Sequence, residues 1–328
     1  MTTGTPENPA EQLPPDSETP LPSVGFIGLG NMGLPMAANL KAAGVAVTGY
    51  DLMPAAMAAA AARGIPTAES AQQAAAEADI VLTMLPSGKH VISAYQGDGA
   101  AEGLLDAARP GAIFLDCSTI NILEAQQAAD LARAAGFRAA DAPVSGGVVG
   151  AEAGTLAFMV GAEEEVFTAV RPILEIMGAR VVHCGGSGLG QAAKICNNMI
   201  LAVSMIAVSE AFVLAEKLGL SHQAMFDVVS KASGQCWALT TNCPVPGPVP
   251  SSPANREYQP GFAGALMAKD LGLATNALEE TGVQAQLGRM AAEMYRGFAE
   301  GEGAGQDFSA IIEQIRTASG TQPSSQEG

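Results

Sequence analysis

The sequence predicts an α/β amino-terminal part built on a parallel sheet, joined by one long helix to an all-helical carboxy-terminal part. Three observations predict it. From Val24 short apolar runs alternate with alanine-rich helical stretches, the pattern of βαβ units. Beyond Gly190 only helical periodicity and loops follow. Between these regimes, the sequence from Gly190 to Gly219 is nearly unbroken helix former. A length of 328 residues suits two domains.

Residues 1–22 are rich in Pro, Glu, Thr and Ser, lack Arg and Lys, and contain no apolar stretch, which reads as a disordered tail. The first strand is "VGFIG", followed by a helix over Met32–Ala43. The second strand is "VAVTGYD", followed by a helix from Pro54. "DIVLTMLP", "AIFLD", "LAFMVG" and "RVVHCG" continue the strands, with a boundary between residues 185 and 190. The expected division is therefore residues 23–189 for the sheet domain and 190–316 for the helical domain. The proline-rich stretch 243–262 excludes helix and central strand and reads as an ordered loop. Residues 317–328 match the amino terminus in composition and read as a second flexible tail.

Composition narrows the function. With 16 Lys+Arg against 33 Asp+Glu the formal charge is -17, which removes the basic footprint that nucleic acid or anionic membrane requires. The most apolar run, Met199–Val208, is half of a bilayer crossing and is followed by Glu210. A small soluble ligand is expected. Five cysteines without a CxxC pair argue against a disulfide framework and suit a reducing cytoplasm. His90, His183 and His222 are scattered without metal-site spacing, so no metal is expected.

Gly28, Gly30 and Gly33 form GxGxxG between a strand and a helix, with Leu29, Asn31 and Met32 the intervening residues. Glycine there permits a tight turn and close approach of backbone to a pyrophosphate, and the helix terminus supplies free N–H groups. Asp51 closes the next strand, where an acid accepts from a ribose 2′-hydroxyl and repels a 2′-phosphate, so NAD is favoured over NADP. Asp51 equally suits a strand-end cap on the Pro54 helix.

Lys194 and Asn198 are an i, i+4 pair on the otherwise apolar long helix. A lysine there either snorkels from a helix end or reaches a cleft. In a cleft, partial desolvation beside a cationic nicotinamide would lower its pKa toward the range of proton transfer. "DAPVSGG" ends in unencumbered amides, so Ser145, Gly146 and Gly147 form either an ordinary glycine turn or a nest for a carboxylate.

"GLGNMG", "DAPVSGGVVGAEAGTLAFMVGA", "GQAAKICNNM" and "GFAGALMAKDLGLA", in that order, resemble the β-hydroxyacid dehydrogenases over about Val24–Arg316. "SGQCW" and "NCPVPGPVPS" are similar to the branch acting on 3-hydroxyisobutyrate. The resemblance implies a Rossmann-type first domain and assembly into a homodimer or homotetramer. It also implies NAD-dependent oxidation of (S)-3-hydroxyisobutyrate to methylmalonate semialdehyde, a step of valine breakdown.

By the same resemblance, Lys194 is the catalytic acid–base group and Asn198 helps position substrate. Ser145, Gly146 and Gly147 hold the substrate carboxylate. Leu85, Pro86 and Thr119 contact the cofactor, and Lys269 reaches it from the second domain. Trp237 either walls the substrate pocket or belongs to the core. His90 departs from the asparagine common in the family and reads as a solvated loop residue, while Cys196 reads as buried packing. A tail without basic residues departs from mitochondrial relatives and points to a bacterial cytoplasmic enzyme. The competing expectations are a reductase of tartronate or succinate semialdehyde, and a non-catalytic NAD-binding or assembly module. Imine reductases share the architecture, but Lys194 speaks against them.

Overall fold

A computed structural model describes residues 21–97, 99 and 102–320. The expected amino-terminal tail, except Leu21 and Pro22, and residues 321–328 lie outside the described residues.

The sheet half runs β1 (Val24–Ile27), α1 (Gly33–Ala42), β2 (Val47–Tyr50), α2 (Pro54–Ala62), α3 (Ala71–Ala76), β3 (Ile80–Thr83), α4 (Gly88–Gln96), α5 (Leu104–Ala107) and β4 (Ile113–Asp116). It continues with α6 (Ile122–Ala134), β5 (Arg138–Asp141), β6 (Val144–Ser145), α7 (Gly147–Ala153), β7 (Leu156–Gly161), α8 (Glu164–Met177) and β8 (Gly178–Gly185). The strand order is β2-β1-β3-β4-β5-β7-β6, with β8 paired to β7. Strands β1 to β5 pair parallel with one another. The expectation of a parallel sheet is corrected at β7, which runs antiparallel to β5 and β6.

Period-two alternation explains how helices cover both faces. Phe26, Leu82 and Leu115 enter one apolar layer with Met36 and Leu40 of α1 and Ile173 and Leu174 of α8. Their neighbours Ile27, Val81 and Phe114 enter the opposite layer with Tyr95 and the alanines of α3 and α6. Strands buried on both faces read as continuous apolar runs, as these do.

The helical half runs α9 (Leu189–Lys217), α10 (His222–Val229), α11 (Trp237–Thr240), α12 (Gly264–Thr281), α13 (Gln286–Ala299) and α14 (Ile311–Ala318). Helix α9 starts one residue before the expected border, and α14 extends two residues into the expected tail. Met205, Phe212, Met267, Leu271, Tyr295, Phe308 and Ile311 share a third core. Helix α9 touches β5, β7, β8 and α6 as well as α10 to α14, so it is common to both halves.

By length and apolarity α9 could cross a bilayer, but half of its most apolar stretch is buried in the protein. Its buried side also carries Gln191, Lys194, Asn198 and Ser209, which suits a core helix and not a lipid-facing one. The proline-rich segment is a loop as expected, regular only at the tight turn Pro253–Arg256. Asp307 anchors its end, accepting from the amides of Gly261 (3.0 Å) and Phe262 (3.1 Å).

Candidate active site

The glycine turn after β1 has three different local demands. Gly28 has φ 101°, and a side chain there would strike the Met84 carbonyl. Gly33 lies against the Gly28 carbonyl, so its missing side chain lets α1 close onto the strand. At Gly30 an added Cβ would meet nothing within 4 Å, so its bareness serves no packing and leaves a cradle open. Asn31 and Met32 lead into α1, whose first turn has no side-chain cap. Its free amides and dipole suit a pyrophosphate.

Asp51 closes this turn: its carboxylate accepts from Leu29 N (2.7 Å) and Met53 N (2.8 Å). It therefore braces the glycine loop and the entry to α2 together. Each oxygen keeps a second lone pair for a ribose hydroxyl. The exposed Leu52 and Met53 beside it offer no cation for a 2′-phosphate.

Two further loops leave the same end of the sheet. Leu85 N, after β3, donates to Ser118 Oγ (2.8 Å), after β4. Ser118 Oγ donates onward to Asp116 Oδ1 (2.6 Å), which also accepts from Thr83 Oγ1 (2.8 Å). Asp116 is buried, its Oδ2 has no partner among the described residues, and burial pushes its carboxyl up to about 6 against those hydrogen bonds. Thr119 presents its carbonyl to Lys269 Nζ of α12 at 2.8 Å. In this structure Lys269 thus reaches the cofactor side but rests on backbone there.

The amino terminus of α9 is tied to the sheet by Asp141, which accepts from Gly188 N (2.6 Å) and Gln191 N (3.0 Å). Burial likewise pushes the Asp141 carboxyl up to about 6, opposed by these amides. One turn along α9, Lys194 is only 6% exposed, and Asn198 2%, on one helix face. Asn198 Nδ2 donates to Asp270 Oδ2 of α12 (2.6 Å), itself buried. Burial lowers the Lys194 pKa; the like charge of Lys269 adds to this and Asp270 opposes it. The expected direction is therefore present without a cofactor charge. Burial raises the Asp270 pKa, moderated by Lys194, Lys269 and Asn198.

Ser145 ends β6, and Gly146 (φ 131°) and Gly147 (φ 61°) turn the chain into α7. A side chain on Gly147 would come within 2.8 Å of the Gly261 carbonyl, so this turn abuts the loop held by Asp307. Pro86 continues the β3 loop. Trp237, 51% exposed at the start of α11, is not a core residue.

Two expectations are corrected. Cys196 is exposed, because it lies on the α9 face turned away from both cores. His90 is solvent-exposed as expected, but it lies in the first turn of α4 and not in a loop, with Nδ1 2.8 Å from Ser87 Oγ. Three residues escaped sequence reasoning: Asp270, Gln191 and Ser118. Asp270 had a signal, since it shares the helical face of Met267, Leu271, Ala274 and Leu278, all buried.

Comparison with known proteins bears on the fold and the family. Residues 23–186 match the model of the NAD binding domain of 6-phosphogluconate dehydrogenase. Residues 188–315 match the NAD-binding domain of NADP-dependent 3-hydroxyisobutyrate dehydrogenase. A probable 3-hydroxyisobutyrate dehydrogenase of Mycobacterium tuberculosis is 54% identical, covering 90% of this chain and 98% of the relative. The NAD-dependent L-serine dehydrogenase of Pseudomonas aeruginosa is 42% identical over 88% of this chain and 96% of that one. The solved structure of M. tuberculosis 3-hydroxyisobutyrate dehydrogenase with L-serine superposes with a TM-score of 0.86 at 54% identity, covering 90% of this chain and 99% of that chain.

Proposed function

The chain belongs to the 3-hydroxyisobutyrate dehydrogenase family, and from that premise we propose that it oxidises (S)-3-hydroxyisobutyrate to methylmalonate semialdehyde in valine breakdown. Residues 23–189 are then the cofactor-binding part and 190–316 the substrate and assembly part. The observation that carries the reading is the buried amine of Lys194, whose depressed pKa suits a proton acceptor.

The cradle at Gly30, the amides of Asn31 and Met32, and the Asp51 carboxylate fit a dinucleotide with a free 2′-hydroxyl, which supports NAD. When bound, NAD supplies the hydride acceptor at its nicotinamide. Leu85, Pro86 and Thr119, and Lys269 from the second domain, would hold it. Neutral Lys194 takes the substrate hydroxyl proton as the carbinol carbon becomes an aldehyde, and its ammonium returns that proton in the reverse direction. Asn198, held by Asp270, orients the hydroxyl. Ser145, Gly146 and Gly147 anchor the carboxylate, so that the reacting end is presented in one pose. Trp237 would wall the substrate pocket.

L-Serine is the second reading, favoured by the name of one relative and the ligand of another. It shares the hydroxymethyl and carboxylate that Lys194 and the glycine turn address, with an amino group in place of the methyl. Exposed Ile200 and Leu214 on α9 and Leu287 and Met290 on α13 support a homodimer or homotetramer. We place the enzyme in a bacterial cytoplasm.

A spectrophotometric panel of 3-hydroxyisobutyrate, L-serine, tartronate semialdehyde and succinate semialdehyde with NAD(H) and NADP(H) tests the reading. The highest kcat/KM is expected for 3-hydroxyisobutyrate with NAD. Several hundred-fold better turnover of another acid would reassign the substrate, and no turnover of any would leave an NAD-binding module. Lys194→Ala is expected to lower kcat by about a hundredfold or more while NADH affinity persists.

A further inference from the structure

The strand order fixes which loops face which end of the dinucleotide. Asp51 directly follows β2, so the adenosine ribose would lie on that side, and the glycine turn after β1 would take the pyrophosphate. The nicotinamide end is then directed toward the loops after β3 and β4. The loop after β4 is the stretch Ser118–Thr119–Ile120.

Gln191 grips that stretch. Its side chain is fully buried, and both ends of its amide are engaged with backbone: Nε2 donates to Ser118 O (2.8 Å) and Oε1 accepts from Ile120 N (3.2 Å). The two bonds bracket Thr119. Gln191 lies three residues before Lys194 on α9, and its own amide is fixed by Asp141. The restraint passes onward, because Ser118 Oγ accepts from Leu85 N in the neighbouring loop. The planar amide offers a donor and an acceptor side by side, and Asn, the other amide side chain, is one methylene shorter.

We propose that Gln191 is a positioning residue for hydride transfer, tying the loops that hold the nicotinamide end to the helix that carries Lys194. The inference rests on the dehydrogenase reading and deepens it. The donor carbon, the acceptor ring and the proton acceptor must keep one mutual geometry, and Gln191 sets the spacing between the last two. It touches neither substrate nor reacting atoms.

The test uses full-length Gln191→Met, which has similar length and lacks both hydrogen bonds, and Gln191→Asn, which keeps the amide but falls short. NADH affinity is titrated by its own fluorescence, independent of turnover. NADH Kd is expected to rise about tenfold, since two loop backbone groups lose their partner. In the oxidation assay kcat is expected to fall on the order of 10- to 100-fold with less than about a twofold change in KM for the acid. The pH limb assigned to Lys194 should stay in place. A folded variant with wild-type NADH affinity and kcat would overturn the assignment, as would a rise in acid KM at unchanged kcat. If Gln191→Met does not fold, Gln191→Asn is judged by the same criteria. Failure of the wild-type enzyme on every acid would sink the dehydrogenase reading, while the NADH titration would still decide this one.

Discussion

Lys194 is an ionisable amine placed where water cannot stabilise its charge, and the two neighbours on α12 push its pKa in opposite senses. Oxidation requires the neutral amine, so kcat/KM should rise with pH through the Lys194 pKa. Removing the carboxylate with Asp270→Asn takes away the group that favours the ammonium, and the limb should move to lower pH. Lys269→Met removes a like charge and should move it to higher pH. A pH profile of both variants checks the pair, and shifts in the same direction would refute the account. Gly30 and Gly33 offer a second contrast at this scale. Gly30→Ala should leave the melting temperature within a few degrees and weaken NADH binding about tenfold or more, because only the ligand occupies that space. Gly33→Ala must displace the Gly28 carbonyl and should destabilise by about 1–3 kcal/mol in urea unfolding. The three glycines were legible from spacing and residue type, whereas the residues alone left Lys194 open between a snorkelling helix end and a cleft, and the family resemblance supplied its role. Gln191 was not legible, since its partners lie 71 and 73 residues away and only the fold brings them together.

At the scale of elements, the long apolar strands and α9 could be read from pattern, whereas β5 could not. Its sequence "RAAD" carries no β-branched residue, and its strand state comes from pairing with β4. The direction of β7 was equally hidden, because antiparallel pairing depends on the short β6–α7 excursion and leaves no mark on residue type. These strand ends hold Asp116 and Asp141 away from solvent, each carboxyl raised from 3.8 to about 6. The native state therefore binds protons that the unfolded chain has released between about pH 4 and 6. Stability from this source is present at low pH and lost as pH rises through 6. Asp116→Asn should gain stability relative to wild type across that window, by at most about 3 kcal/mol for a two-unit shift, and less where the pair titrates together. Urea unfolding from pH 4 to 7 measures the difference, and a pH-independent gap would contradict it.

Across the whole molecule, the polar contacts between the halves include those of Gln191 at the start of α9 with Asp141, Ser118 and Ile120 and that of Lys269 with the Thr119 carbonyl, while the Gly261 loop abuts the bare Gly147. The division into a sheet half and a helical half was readable from the change of periodicity near Gly190. The seam itself was not, because backbone carbonyls carry no sequence signature. What joins the halves is α9, a single 29-residue helix packed into both. It acts as an axle rather than a tether. Each residue added to a helix advances it by about 1.5 Å and turns it by about 100°. One extra alanine between Asn198 and Met205 would therefore rotate the bundle beyond it out of phase with the sheet, leaving Lys194 and Asn198 seated on the dinucleotide half while Asp270 and Lys269 of α12 turn away from them. A chimera exchanging helical domains should accordingly be cut beyond Lys217, so that the axle and its mountings on Asp141 and Ser118 travel together.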